Sequence, residues 1–120
     1  MSSLYYLAQP YSGTHEEQNF RAAAALAALA HFTSQGRHVY SPIAHFHHAA
    51  LAHKLPTDAA TYRQHNFDIL ERCDGIIVLQ LPGWKTSVGL AEELQYASDL
   101  TLEPCLFCVP PLYTLSYEEF

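Results

Sequence analysis

A chain of 120 residues is long enough for one domain with a single core, and we assign residues 1–120 to one domain. Its net charge of −6, with only six Lys and Arg residues, argues against nucleic acid as a partner, because phosphate backbones bind basic surfaces. The sequence has no apolar run near the roughly 20 residues of a membrane span and no signal peptide at its start. We therefore expect a cytoplasmic protein with no membrane partner.

The sequence contains unusually few charged residues. Charged residues make up 15% of the chain and apolar residues 49%, whereas charged residues usually make up about a quarter of a soluble domain. The C-terminal segment "PPLYTLSYEEF" is aromatic and is expected to pack on the domain or on a neighbour. We therefore expect a homodimer or a higher homo-oligomer.

The chain alternates between apolar strands and helices. The predicted strands are Leu4–Ala8, Arg37–Ser41, Gly75–Leu81 and Cys105–Val109. The predicted helices are Thr14–Gln35, Asp58–Cys73 and Ser87–Leu100. A capping box of Thr14 and Glu17 begins the first helix, and Gly36 ends it. No helix is assigned between the second strand and Pro56.

This alternation predicts an α/β fold. The expected form is a doubly wound, flavodoxin/Rossmann-like, mostly parallel sheet of four to five strands with helices on both faces. The expected strand order is 2-1-3-4, with any fifth strand added at the end. Such sheets bind ligands at the carboxyl ends of the strands, where the strand order reverses. The segments "AQPYSG", "SPIAHFHHA" and "PGWKTS" meet there.

The last predicted helix carries two adjacent carboxylates. Glu92 shares a polar stripe with Gln95 and Asp99 and is expected to be solvated. Glu93 falls at the edge of the apolar stripe of Leu90, near the start of the helix. Because a carboxylate is costly there unless it is used or paired, Glu93 is the candidate functional residue.

Two small residues near the start of this helix are candidate ligand contacts. Ser87 can cap the helix, and the same hydroxyl with the free backbone amides can bind an anion. Gly89 would allow a ligand or a neighbouring loop to approach closely.

The eight histidines and three cysteines allow weaker readings. Four histidines, His45, His47, His48 and His53, fall in one segment, and one or two of them are expected to line the cleft. A metal site is disfavoured because no Asp, Glu or Cys accompanies them there. The cysteines of "CLFCVP" lie in an apolar strand and are expected to be core thiols. We therefore expect neither a metal nor a cofactor.

Four segments together resemble the nucleoside 2-deoxyribosyltransferase superfamily, whose small members include 2′-deoxynucleoside 5′-phosphate N-hydrolases. They are "YLAQPYSG", "VYSPIAHFH", "CDGIIVLQLPGW" and "SVGLAEELQYA", and they span nearly the whole chain. The resemblance implies that Glu93 attacks the anomeric carbon and that Ser87 binds a 5′-phosphate. It also implies that neighbouring subunits complete each other's sites.

The sequence departs from the resemblance at two places. Gln9-Pro10 stands where the hydrolase relatives usually have Gly-Ser, in the loop under the sugar and phosphate. Asn66 stands where relatives commonly have an Asp that helps with the sugar hydroxyl or the leaving base. Asp68 is near in sequence but falls on a different side of the predicted helix.

The resulting hypothesis is an enzyme that cleaves the N-glycosidic bond of a (deoxy)nucleoside or nucleoside 5′-monophosphate, by hydrolysis or base exchange. Its predicted catalytic residues are Glu93 and Asn66. Its predicted substrate-binding residues are Ala8, Pro10, Tyr11, His45, Asp68, Trp84, Ser87 and Gly89. One alternative is a non-catalytic nucleotide-binding or sequestering protein on the same fold. A weaker alternative is a metal-dependent hydrolase that uses the histidine cluster.

Overall fold

A computed structural model describes residues 3–120 as one sheet with helices on both faces. The strands are β1 (Leu4–Ala8), β2 (His38–Tyr40), β3 (Gly75–Leu79) and β4 (Cys105–Cys108). The α-helices are α1 (His15–Ser34), α2 (Pro42–His53), α3 (Ala59–Leu70) and α4 (Val88–Asp99), and a short 3-10 helix spans Trp84–Thr86.

The four strands are parallel and lie in the order β2-β1-β3-β4. The chain leaves β1 toward β2 on one side and then returns to place β3 on the other side. The strand order therefore reverses between β1 and β3, as in flavodoxin-like folds, and a cleft opens at the carboxyl ends of these strands. This confirms the predicted fold class and strand order.

Alternate strand residues divide the core into two layers. Tyr6, Ile76 and Val78 pack with residues of α3 and α4, including Leu70 and Leu90. The side chains at the other strand positions, including two of β4, pack on α1 and the C-terminal segment. This second layer contains Leu7, Ala28, Phe32, Ile77, Leu79, Leu106 and Cys108, and Tyr113 and Leu115 pack against it. Since side chains alternate across a strand, Tyr6 must face the layer that contains α4.

The C-terminal segment packs on the domain. The side chains of Tyr113 and Leu115 lie against the second core layer, and Ser116 forms an antiparallel bridge with Phe107 of β4. The backbone N–H of Phe120 donates to the side chain of Gln80. The first of the two predicted placements of the aromatic tail is therefore confirmed.

Helix α2 was missing from the sequence-based prediction, which left residues 42–53 without a helix. Its start is well formed: the Ser41 hydroxyl accepts from the backbone N–H of Ala44 at 3.1 Å, and Pro42 occupies the first helical position. Lys54 ends it in the left-handed conformation, with φ 56°. Ser41 and Pro42 form a recognisable helix start, which the sequence-based prediction did not include.

Arg21 of α1 connects the two loops at the carboxyl ends of the central strands. Its guanidinium donates to the carbonyl of Ser12 at 2.6 Å and to that of Pro82 at 3.2 Å. Ser12 follows β1 and Pro82 follows β3, so one side chain fixes both loops relative to α1.

Candidate functional site

A pocket occupies the carboxyl ends of β1, β2 and β3. It is lined by Gln9, Tyr11, Ser12, Pro42, Ile43, Phe46, His47, Ala50, Thr57, Asp58, Ala59, Tyr62, Arg63, Asn66, Phe67, Ser87, Gly89, Leu90, Glu92 and Glu93. Part of its wall is aromatic, with the Phe46 and Tyr62 rings 4.5 Å apart. The pocket therefore lies where the reversal of strand order places a ligand, and it combines flat apolar surface with polar groups.

Glu93 lies at the inner end of this pocket. It is in the second turn of α4, and its carboxylate accepts a hydrogen bond from the hydroxyl of Tyr6. Tyr6 is fully buried in β1. Burial is the main cause that raises the Tyr6 pKa, with the Glu93 charge adding to it, so Tyr6 stays a hydrogen-bond donor at neutral pH. Strand β1 therefore positions the Glu93 carboxylate through this hydrogen bond.

The environment of Glu93 raises its pKa from 4.5 to about 7. Burial is the largest cause, the hydrogen bond from Tyr6 opposes it, and the neighbouring charge of Glu92 adds to it. The positive end of the α4 dipole does not offset the effect of burial on the Glu93 pKa. The effect of a helix terminus falls off within its first turn, and Glu93 lies beyond that turn.

Two carboxamides in the pocket wall have an oxygen without a hydrogen-bond partner among residues 3–120. They are Asn66 Oδ1 and Gln9 Oε1, and both atoms are buried. Buried polar atoms usually have a partner, from the protein, from water or from a ligand. These two oxygens are therefore free acceptors in the wall of the pocket.

Glu92 is 34% exposed, in keeping with its place on the polar stripe of α4, and it is also ion-paired. Arg63 of α3 makes a forked contact with it: Nε donates to one carboxylate oxygen, and Nη2 donates to the other at 3.2 Å. Both residues line the pocket. The pattern within α4 does not predict this ion pair, because Arg63 comes from another helix.

Ser87, Gly89 and Tyr11 also line the pocket. Ser87 is the N-cap of α4, and its hydroxyl accepts from the backbone N–H of Leu90 at 3.3 Å. A Cβ added to Gly89 would lie 3.6 Å from Ala59, which is an ordinary contact. The Tyr11 hydroxyl is 2.7 Å from Nδ1 of His47, and burial is the main cause that lowers the His47 pKa.

Five predicted substrate contacts lie elsewhere and are not among the described residues that line the pocket: Ala8, Pro10, His45, Asp68 and Trp84. Ala8 and Pro10 are buried beneath it. His45 is an exposed residue stacked 5.9 Å from His65. Asp68 is exposed and accepts from Gln64, and Trp84 packs near Phe107 with the first core layer.

The histidine segment does not converge on one point. Of its four members only His47 is buried, whereas His45, His48 and His53 are exposed. Across residues 3–120, no group of three or more His, Cys, Asp or Glu side chains is placed to hold a metal ion. Cys105 packs against the first core layer and Cys108 lies in the second, so the two thiols face opposite sides of the sheet. They cannot share a ligand.

The contributors to the site that sequence reasoning missed include Tyr6, Gln9 and Arg63. Tyr6 had a usable signal, since a tyrosine inside a buried strand needs a partner for its hydroxyl. Gln9 was noticed as a departure from the hydrolase relatives but not as a pocket residue. The pairing of Arg63 depends on how α3 lies beside α4, and no local signal carries that information.

No helix in the part of the chain that the structure describes combines the length and apolarity needed to cross a membrane. A comparison with curated proteins found no match. The model of one protein family, described as "Domain of unknown function (DUF1937)", matches residues 3–104. This match covers most of the chain and includes every residue that lines the pocket. The chain therefore belongs to the DUF1937 family.

Proposed function

We propose that the pocket binds a (deoxy)nucleoside or nucleoside 5′-monophosphate and that Glu93 cleaves its N-glycosidic bond. A carboxylate oxygen of Glu93 attacks C1′ of the sugar while the bond between C1′ and the base nitrogen breaks. The electron pair of that bond leaves with the base, which takes a proton from solvent. This step produces a glycosyl ester on Glu93 through an oxocarbenium-like transition state.

The ester is then resolved at the same carbon. A water molecule attacks C1′, the ester bond to Glu93 breaks, and the water proton leaves to solvent. A second base in place of water gives base exchange. Both outcomes restore the free carboxylate, so Glu93 completes each cycle unchanged.

The observation that supports this proposal most is the position of Glu93. It is an inward carboxylate at the carboxyl ends of the strands, oriented by a buried tyrosine and facing a partly aromatic pocket. Aromatic side chains suit the flat face of a base. Asn66 lies in the same wall with an unpartnered oxygen and is suited to a sugar hydroxyl or an amino group of the base.

One observation favours the non-catalytic alternative. With a pKa of about 7, Glu93 is protonated in about half of the molecules at neutral pH. A protonated carboxyl can donate a hydrogen bond to a ligand but cannot attack C1′. The same pocket would then bind a nucleotide without cleaving it.

The test is to incubate the protein with a panel of nucleosides and nucleotides and to measure the released base by chromatography. Glu93→Gln keeps the size of the side chain but removes its negative charge. We expect base release to fall at least about a thousandfold, equivalent to roughly 4 kcal/mol of barrier. Glu118→Gln is the matched control, because Glu118 is exposed in the C-terminal segment, away from the pocket. Equal activity of both variants would refute the role of Glu93.

Self-association is part of the same proposal. Several large apolar side chains are exposed on the single chain, including Phe20, Leu112 and Tyr117. Covering them would explain the low content of charge in the sequence. Light scattering at micromolar concentration should give a mass of at least twice 13.5 kDa. A monomer mass throughout would refute it.

A further inference from the structure

The pocket wall carries more negative than positive charge. Its carboxylates are Asp58, Glu92 and Glu93, and its one Lys or Arg side chain among the described residues is Arg63. Asp58 accepts from the backbone and hydroxyl of Thr61, and these bonds lower its pKa, so it is ionised at neutral pH. Burial of His47 lowers its pKa and keeps that imidazole neutral.

Arg63 is already engaged with a carboxylate. Its forked contact with Glu92 uses both oxygens of the carboxylate, and this arrangement is the geometry in which a guanidinium would also hold a phosphate. A phosphate group in the pocket would therefore have to compete with Glu92 for Arg63, against the charge of the remaining carboxylates.

The Gln9 carboxamide in the pocket wall offers a ligand an acceptor but no free donor. Gln9 is only 4% exposed, and its amide nitrogen donates to the carbonyls of Arg21 at 2.9 Å and Pro10 at 3.4 Å. These two bonds fix which end of the carboxamide is the nitrogen, so the unpartnered atom is the oxygen. With Asn66 Oδ1, the wall has two buried acceptors that need donors from a ligand.

We propose that the pocket selects an uncharged, hydrogen-bond-donating ligand, and that Glu92 is a specificity-determining residue that excludes a phosphate by occupying Arg63. This inference rests on the proposed function. It specifies the substrate as a nucleoside with a free 5′-hydroxyl and not the corresponding 5′-monophosphate. It also gives a physical reason for Gln9-Pro10 in a loop where the resemblance would place Gly-Ser beneath a phosphate.

The test is calorimetric binding of the four common 2′-deoxynucleosides and their 5′-monophosphates to the Glu93→Gln protein, which prevents turnover. Loss of the Glu93 charge favours the phosphate, so the test is stringent. Each nucleoside that binds should do so at least about tenfold more tightly than its monophosphate. Adding Glu92→Gln, which frees Arg63, should narrow this ratio by about tenfold.

Asp68→Asn in the same background is the matched control, because it removes one negative charge from α3 outside the pocket. The nucleoside preference should change less than about twofold in this control. If Asp68→Asn reduced the ratio of nucleoside to monophosphate affinity as much as Glu92→Gln does, the role of Glu92 would be overturned. Monophosphates that bind as tightly as nucleosides, or the absence of nucleoside binding, would overturn the selection of a neutral ligand.

The outcome is separable from the proposed function. If wild-type protein releases base from monophosphates faster than from nucleosides, the proposed cleavage stands and this inference fails. If nucleosides bind with the expected preference while wild type releases no base, this inference stands and the proposed cleavage fails.

Discussion

Glu93→Gln should stabilise the fold, and the gain should depend on pH. Below pH 4.5 the carboxyl is protonated in both the folded and the unfolded chain, so its burial carries no ionisation penalty. Between pH 4.5 and about 7 the unfolded chain loses this proton while the folded chain keeps it, which lowers the free energy of unfolding. Above about pH 7 both states are ionised and the penalty stays constant.

The size of this penalty follows from the two pKa values. A rise from 4.5 to about 7 corresponds to about 3 kcal/mol of unfolding free energy. Gln has no proton to lose and its amide oxygen can still accept from Tyr6. The difference in stability between Glu93→Gln and wild type should therefore grow by about 3 kcal/mol from pH 4 to pH 8.

Urea unfolding at a series of pH values measures this difference directly, with the slope m as a check that the same surface is exposed. Glu118→Gln supplies the comparison, because Glu118 is exposed and does not line the pocket. A flat difference for Glu93→Gln, or a difference that falls as pH rises, would refute the assignment of a buried, destabilised carboxyl.

Three further outcomes are expected. Base release by wild type should rise with pH through about 7 as Glu93 ionises, and a rate that is level from pH 5 to pH 8 would contradict its role as nucleophile. Tyr6→Phe should move the midpoint of that pH–rate profile upward, because the hydrogen bond from Tyr6 lowers the Glu93 pKa in the wild type and the variant lacks this bond. An unchanged midpoint would show that Tyr6 does not affect the ionisation of Glu93. Gly75→Ala should lower the free energy of unfolding by about 1–3 kcal/mol in urea, since its Cβ would lie 2.8 Å from the Pro104 carbonyl and 2.9 Å from the Tyr5 ring; wild-type stability would exclude this close packing.

The fold was predictable because its signals are local. The unbroken apolar run of β3 marks a strand covered on both faces, and the capping box at Thr14 marks the start of α1. Both features arise within a few residues of sequence. Helix α2 had signals of the same kind in Ser41 and Pro42, so its omission was avoidable.

The positions of site residues were predictable only where the periodicity of a single helix determines them. The position of Glu93 beside the apolar stripe of α4 follows from helical periodicity, and the structure places it in the pocket. Its contact with Tyr6 and the contact of Glu92 with Arg63 join residues of different elements. Such contacts depend on packing distances that a single sequence does not contain.

Arg21 fixes the wall of the pocket that is formed by the loops after β1 and β3. It ties these loops to α1, so the side of the pocket that carries Ser12 and leads into α4 is held in one arrangement. The α2–α3 side is joined to α1 by a 3.3 Å bond between Gln18 and Thr57 and to α4 by the contact between Arg63 and Glu92. The aromatic lining residues Phe46 and Tyr62 come from α2 and α3, whereas Glu93 comes from α4. Ligand preference can therefore diversify through changes in α2 and α3 while the geometry around the α4 carboxylate is preserved.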